Sequence, residues 1–229
     1  MKKVLNSNSL KIIAILAMIL DHVAIAFMSL TNPFYYILRI VGRITAPIMF
    51  YCLANGFFYT KNKFKYGTRL LLFAVVSQVP YSLFAKGKIF VYDDYNVLFT
   101  LFLAFMFLYS LYDVKKYIIK IFNLILVCSL SLFCEYGLFG IVLVWMFYMF
   151  RDSKYKTLLY SLLCFLYLII MTMIEGSIIY FVIFMGLFLA VPLLNMDSGK
   201  KGKLNLKYLF YIFYPAHLIA LYLIVLFVS

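Results

Sequence analysis

The chain is 229 residues long, 67% hydrophobic and only 13% charged, with a mean hydropathy of +1.03. A soluble domain of this size has no interior large enough to hide that much apolar surface, so the composition excludes a soluble fold and points to a polytopic membrane protein. The formal net charge of +13 would indicate nucleic acid in a soluble chain, but the basic residues here sit in short clusters between apolar runs, where they set topology; no nucleic-acid partner is expected.

In chain order, apolar runs of roughly membrane-crossing length fall at 10–30, 34–59, 66–84, 96–112, 117–133, 136–150, 157–174, 177–194 and 206–228. They predict an all-α, polytopic transmembrane helical bundle of about nine spans, a single domain over 1–229. The pair 117–133 and 136–150 is joined by almost nothing. The start, with Lys2 and Lys3 ahead of an apolar run that reaches Ala24-Ile25-Ala26, superficially resembles a signal peptide. Asp21 and His22 interrupt that run and further spans follow, so it is read as a retained first span.

The basic residues test this topology. Lys2, Lys3 and Lys11 precede or open the first span. Lys61, Lys63, Lys65 and Arg69 fall between the second and third, Lys115, Lys116 and Lys120 between the fourth and fifth, and Arg151, Lys154 and Lys156 between the sixth and seventh. Lys200, Lys201, Lys203 and Lys207 fill the last connection, Asn195 to Asn205 being the longest hydrophilic loop. With nine spans all of these lie on one side, while the other carries Lys86 and Lys88 offset by Asp93 and Asp94. That asymmetry predicts a cytoplasmic N-terminus and an outer C-terminus.

Polar groups inside the apolar runs mark the candidate site, because each ionisable group there costs roughly 2.5–3.5 kcal/mol on insertion scales. Asp21 and His22 adjoin in the outer half of the first span. Lys11 stands eleven residues before His22, on nearly the same helix face and about 16 Å away along the axis. Arg39 and Arg43 fall one turn apart on one face of the second span. Gln78 precedes Pro80 in the third, Asn96 and Thr100 open the fourth, and His217 follows Pro215 in the last. These depths allow Asp21, His22, Arg39, Arg43, Gln78, Asn96, Thr100 and His217 to share one cavity in the middle-to-outer bilayer.

Each group also has a structural reading. Asp21 balances Arg43 or Arg39, and Arg39 lies close enough to the outer interface to snorkel. Gln78, Asn96 and Thr100 serve as interhelical hydrogen bonds. Glu135 and Glu175 are solvated turn residues. The four cysteines, Cys52, Cys128, Cys134 and Cys164, show no CxxC spacing and read as buried small hydrophobes, with no metal or disulfide indicated. No dinucleotide, phosphate-loop, serine-hydrolase or zinc-protease motif occurs.

The blocks LKIIAILAMILDHVA, RIVGRITAPIMFYCLANGFFYTKN, RLLLFAVVSQVPYSL, NVLFTL, EYGLFGIVLV and YLFYIFYPAHLIALYL resemble, in order and over nearly the whole chain, the TraX family. The namesake of that family is the conjugation protein that N-acetylates F pilin. The family more often has Asp before the Tyr-Gly pair where this chain has Glu135. A looser similarity links Lys11 and His22 to the wider membrane acyltransferases, which place a basic residue, more often arginine, ten intervening residues before a functional histidine.

The resemblance implies an acetyl-CoA-dependent O- or N-acyltransferase in a bacterial cytoplasmic membrane. Lys11 and Arg69 would hold the polyanionic end of acetyl-CoA, and His22 would act as base or transient acetyl carrier. Asp21 and His217 would assist, while Arg39, Arg43, Gln78, Asn96 and Thr100 would bind substrate or the developing oxyanion. The acceptor would be an outward-facing peptide, glycan or lipid. Two other readings stand beside it: a proton-coupled transporter that uses the same Asp, His and Arg groups as a relay, and a non-catalytic membrane component of a secretion or conjugation system.

Overall fold

The computed structural model describes residues 3–204, 206 and 208–228. Lys2, Asn205 and Lys207, used above to read topology and loop length, lie outside the described residues. Among the described residues every named element is helical, and extended pairing is confined to isolated bridges at Leu5–Asp197 and Tyr95–Cys134.

The helices follow the apolar runs closely. They are α1 (Ser7–Phe27), α2 (Pro33–Gly42), α3 (Thr45–Tyr59), α4 (Lys63–Lys86), α5 (Val97–Tyr112), α6 (Tyr117–Ser131), α7 (Gly137–Met149), α8 (Lys156–Glu175), α9 (Ile178–Phe184), α10 (Ala190–Asn195) and α11 (Leu209–Val228). A 3₁₀ segment, Met185–Leu189, joins α9 to α10. Among the described residues, six segments are long and apolar enough to cross a membrane: Ser7–Phe27, Pro33–Tyr59, Lys63–Lys86, Lys156–Glu175, Ile178–Asn195 and Leu209–Val228. Helices α5, α6 and α7 are equally apolar but shorter, at 16, 15 and 13 residues.

Local chemistry sets the boundaries. Asn6 caps α1 by accepting from the Asn8 and Ser9 backbone N–H groups, which starts the helix at Ser7, ahead of the apolar run. Asn32 caps α2 with Pro33 at its first position. The second apolar run is not one helix: it breaks at Arg43 and Ile44. Pro47 lacks the N–H that would bond the Arg43 carbonyl, so the ladder fails there and Arg43 caps α2. Arg39 and Arg43 therefore do not stand within one continuous helix, as the apolar pattern predicts. Pro192 acts in the same way on Phe188, within the 3₁₀ segment that interrupts the eighth run.

The chain packs as two compact units. The first comprises residues 1–49, 152–210 and 220–229. Within it α1 packs along α2, α2 meets α9 and the 3₁₀ segment, and α8 covers α9 and α10. Approach is closest at two glycines: a Cβ on Gly42 would lie 2.3 Å from Asp21 Cβ, and one on Gly186 would lie 2.0 Å from the Ile40 carbonyl oxygen. Along α8 a single stripe, Tyr160, Cys164 and Leu168, is buried. Leu158, Leu162, Phe165, Leu166 and Ile170 are exposed, so α8 is apolar all round but buried on one side, as a lipid-facing helix is.

The second unit comprises residues 50–151 and 211–219. Its centre is α5, packed against α4, α6 and α7. Leu98, Leu101, Ala104, Phe105 and Leu108 of α5 are buried, as are Ile141, Leu143, Val144 and Phe147 of α7. Gly140 lets α7 approach Thr100 and Phe50, since a Cβ there would fall 2.6 Å from the Thr100 methyl.

The Gly186 contact yields a first prediction. Gly186→Val forces backbone apart where nothing flexible yields, a cost of about 1–3 kcal/mol. Thermal unfolding in detergent should show a melting temperature lowered by several degrees; an unchanged value would mean that this contact does not hold α2 in place.

Candidate functional site

The first unit holds Lys11, Asp21, His22, Arg39 and Arg43. Arg39 Nη1 donates to Asp21 Oδ1 at 2.9 Å, with both side chains 15% exposed. Of the two arginines that the sequence offers Asp21, this geometry assigns Arg39 as a direct partner, which also means that Arg39 is not simply snorkelling. The Arg43 guanidinium lies over the Phe184 ring at 5.0 Å from its centre, and Arg39 lies 6.0 Å from that of Tyr35.

Thr45 Oγ1 donates to the Ala14 carbonyl at 3.0 Å, tying the start of α3 to α1. Gly42 packs directly on Asp21, so the carboxylate is fixed by a salt bridge on one side and by bare backbone on another. His22, half-buried, is the next residue along α1, about 100° further round the helix. Lys11, also half-buried, lies on the same unbroken helix, about 16 Å along the axis from His22.

The second unit holds Arg69, Gln78, Asn96, Thr100 and His217. Gln78, Asn96 and Thr100 are buried, and Gln78 and Asn96 bond to each other. Asn96 Nδ2 donates to the Ala74 carbonyl at 2.9 Å and to Gln78 Oε1 at 2.8 Å, while its Oδ1 accepts from the Leu98 N–H at 3.0 Å and caps α5. Gln78 Nε2 donates to the Asp94 carbonyl at 3.0 Å and to Ser82 Oγ at 3.3 Å. Both amide groups have thus placed both hydrogens on protein acceptors. Their geometry is that of the interhelical hydrogen bonds named above as their structural reading.

Glu135 belongs to the same network and corrects its reading as a solvated turn residue. Its carboxylate accepts from the Val97 N–H at 2.9 Å, and its carbonyl accepts from Thr100 Oγ1. Its own N–H donates to the Tyr95 carbonyl at 2.9 Å. The carboxylate and Asn96 together satisfy N–H groups that open α5, as a negative group at a helix start should. The sequence signal was the EYG turn itself, in which Tyr136 takes a left-handed φ of 62°. Glu175 is exposed at the end of α8, as a turn residue should be.

His217 is buried; its Nδ1 lies 2.9 Å from the Phe213 carbonyl one turn back, and its ring stacks on Phe213 at 4.9 Å. The Arg69 guanidinium lies close to two aromatic rings, 5.1 Å from the centre of Tyr66 and 5.3 Å from that of Tyr211. Phe73 stacks on the same Tyr211 at 5.0 Å. Composition hides such a cage, because a chain with 21 tyrosines and 25 phenylalanines gives no reason to single these out.

Comparison with known proteins adds an independent line. A family model described as TraX protein matches residues 6–225. A relative in Dichelobacter nodosus, described as probable fimbrial assembly protein FimC, serogroup H1, is 33% identical over 222 residues, covering 91% of each chain. No solved structure matches.

Two predictions follow from these contacts. Asp21→Asn removes the charge facing Arg39 inside an apolar span and should destabilise by about 3–5 kcal/mol, whereas Asp21→Asn with Arg39→Gln should recover most of it. A double-mutant cycle of thermal unfolding in detergent reads the coupling, and additive losses would deny it. In the turn after α6, burial, and secondarily the nearby Glu135 and Asp94 carboxylates, push the Cys134 thiol up to about 12. A raised pKa leaves little thiolate at pH 8, so a chain retaining Cys134 alone should react with maleimide on the order of 10³-fold more slowly than an ordinary cysteine. Ordinary reactivity at pH 8 would contradict this placement.

Proposed function

The chain belongs to the TraX family, and from that premise we propose that it is a membrane-embedded acetyltransferase, taking acetyl groups from acetyl-CoA and passing them to an amine or hydroxyl at the outer face. The observation that carries this reading is the Asp21–Arg39 ion pair, held inside apolar helices directly beside His22 and on the same unbroken helix as Lys11. Charged groups are retained at such depth where they do chemistry or move ions.

In this scheme the His22 imidazole takes the proton of the acceptor as its lone pair attacks the thioester carbonyl. A C–N or C–O bond forms, the C–S bond breaks, and His22 returns the proton to the departing thiolate. Arg39 pairs with Asp21, and the Arg43 guanidinium, one turn further on at the end of α2, is the group assigned to a developing oxyanion. Gln78 and Asn96 act as a brace for α4 and α5, their N–H groups being committed elsewhere. Lys11 provides charge for the phosphate-bearing end of acetyl-CoA, on the same helix as His22.

The proposal includes a bacterial cytoplasmic membrane crossed nine times, with the N-terminus inside. The distribution of lysine and arginine among the connections supports this topology, as does the Lys86–Asp94 pair at 3.6 Å, which offsets charge in a loop assigned to the outer side. A second reading is favoured by the printed name of the Dichelobacter nodosus relative: a non-catalytic factor in fimbrial assembly.

Acetyl-CoA carrying a radiolabelled acetyl group, incubated with purified protein and no acceptor, separates the two. The enzyme reading expects slow CoA release or acetyl label on the chain, lowered by about 10²–10⁴-fold in His22→Ala with folding intact. Neither release nor label in a folded sample would overturn it and favour the assembly factor.

A further inference from the structure

The last hydrophilic connection is not a loose topological loop; it is fastened to the start of α1. The Leu5 N–H donates to the Met196 carbonyl at 2.9 Å, and the Ser198 N–H returns a bond to the Leu5 carbonyl at 2.7 Å. Ser198 Oγ donates to the same carbonyl at 2.6 Å, and the Ser7 N–H donates to the Lys200 carbonyl at 3.1 Å. Buried Asn8 then donates from Nδ2 to the Leu204 carbonyl at 2.9 Å. Gly202 lies flat on Asn8, where a Cβ would come within 2.2 Å of Nδ2, and Gly199 turns the chain at a left-handed φ of 67°.

This backbone presents Lys200, Lys201 and Lys203, all exposed. Lys156 at the start of α8 lies within electrostatic reach of Lys3, Asp152 and Asp197. The clasp therefore holds Lys200, Lys201 and Lys203 beside the start of α1, within the first unit. Orienting a sheaf of cations needs no fixed backbone, because a flexible loop serves as well and repels itself less. A basic loop pinned at both ends, with Gly202 where a side chain would collide and Gly199 where the backbone turns left-handed, instead presents donors at a set spacing. Lysines so placed fit phosphate oxygens as point charges, each bond being charge-assisted.

We propose that the clasped loop 198–203 seats the phosphate groups of a soluble nucleotide-type ligand. For the identity of that ligand this rests on the acetyl-CoA reading above: the 3′-phosphate and diphosphate of CoA would be held by Lys200, Lys201, Lys203 and Lys3, well away from the thioester.

The test uses the full chain in phosphatidylcholine nanodiscs, with adenosine 3′,5′-bisphosphate as a probe that lacks the thioester, and acetyl-CoA in parallel. Calorimetry should show the bisphosphate binding and competing with acetyl-CoA. Its Kd should weaken by about tenfold or more in the triple variant Lys200→Gln, Lys201→Gln, Lys203→Gln. Gly202→Ala keeps every charge but displaces the loop from Asn8, and should weaken binding in the same direction. Lys61→Gln with Lys65→Gln, at another basic connection, should leave it unchanged.

Failure of the native chain to bind the bisphosphate, or equal affinity in the triple and Gly202 variants, would overturn the proposal while acetyl-CoA turnover could still stand. Bisphosphate binding that obeys the variants, without any acetyl-CoA turnover, would sustain the loop and sink the acetyltransferase. If the variants instead lose affinity only for phosphatidylglycerol in the nanodisc, the loop is a lipid contact and the proposal fails.

Discussion

A charge inside hydrocarbon must be answered within a few ångströms, and the first unit is arranged around that constraint. Asp21 is answered by Arg39, and the closeness that permits the bond comes from Gly42, whose missing side chain lets α2 lie against the carboxylate. Gly186 does the same for α2 on its other flank, against the 3₁₀ segment. The ion pair and the two glycines are one device: small residues bring the helices near, and nearness makes buried charge tolerable. His22 inherits its position from that device.

The second unit solves a different problem with uncharged groups. A helix that begins inside the protein exposes N–H groups with no partner, and α5 begins so. Asn96, Gln78 and the Glu135 carboxylate fill that deficit, each bond drawing in another segment: α4 through Ala74 and Gln78, and the α6–α7 turn through Glu135. The outcome is a polar knot with its hydrogens assigned, which makes it a brace.

Helix positions were legible because apolar run length and punctuation agree: Asn6, Asn32, Asn62 and Asn96 each stand at the head of a helix that the hydropathy pattern requires. The Asp21 partnership was legible as a choice between two arginines, and the 2.9 Å bond makes Arg39 a partner. Less could be read where long-range contacts rule. Pro47 was visible, but that it would break a run at Arg43 depends on the ladder four residues back. Glu135 looked like a solvated turn because nothing local announces a bond to Val97, 38 residues earlier. The clasp of Leu5 on Ser198 joins segments some 193 residues apart, beyond any periodicity.

The three short helices carry a consequence for the lipid around them. At 1.5 Å per residue, α5, α6 and α7 reach roughly 24, 22 and 20 Å, against a hydrocarbon thickness of about 30 Å. Where a helix of that length faces lipid, its apolar surface falls short of the hydrocarbon it would have to match. A deficit of about 6–10 Å is met by local thinning of the bilayer or by flanking side chains that reach out to the headgroups, at a cost of fractions of a kcal/mol per Å.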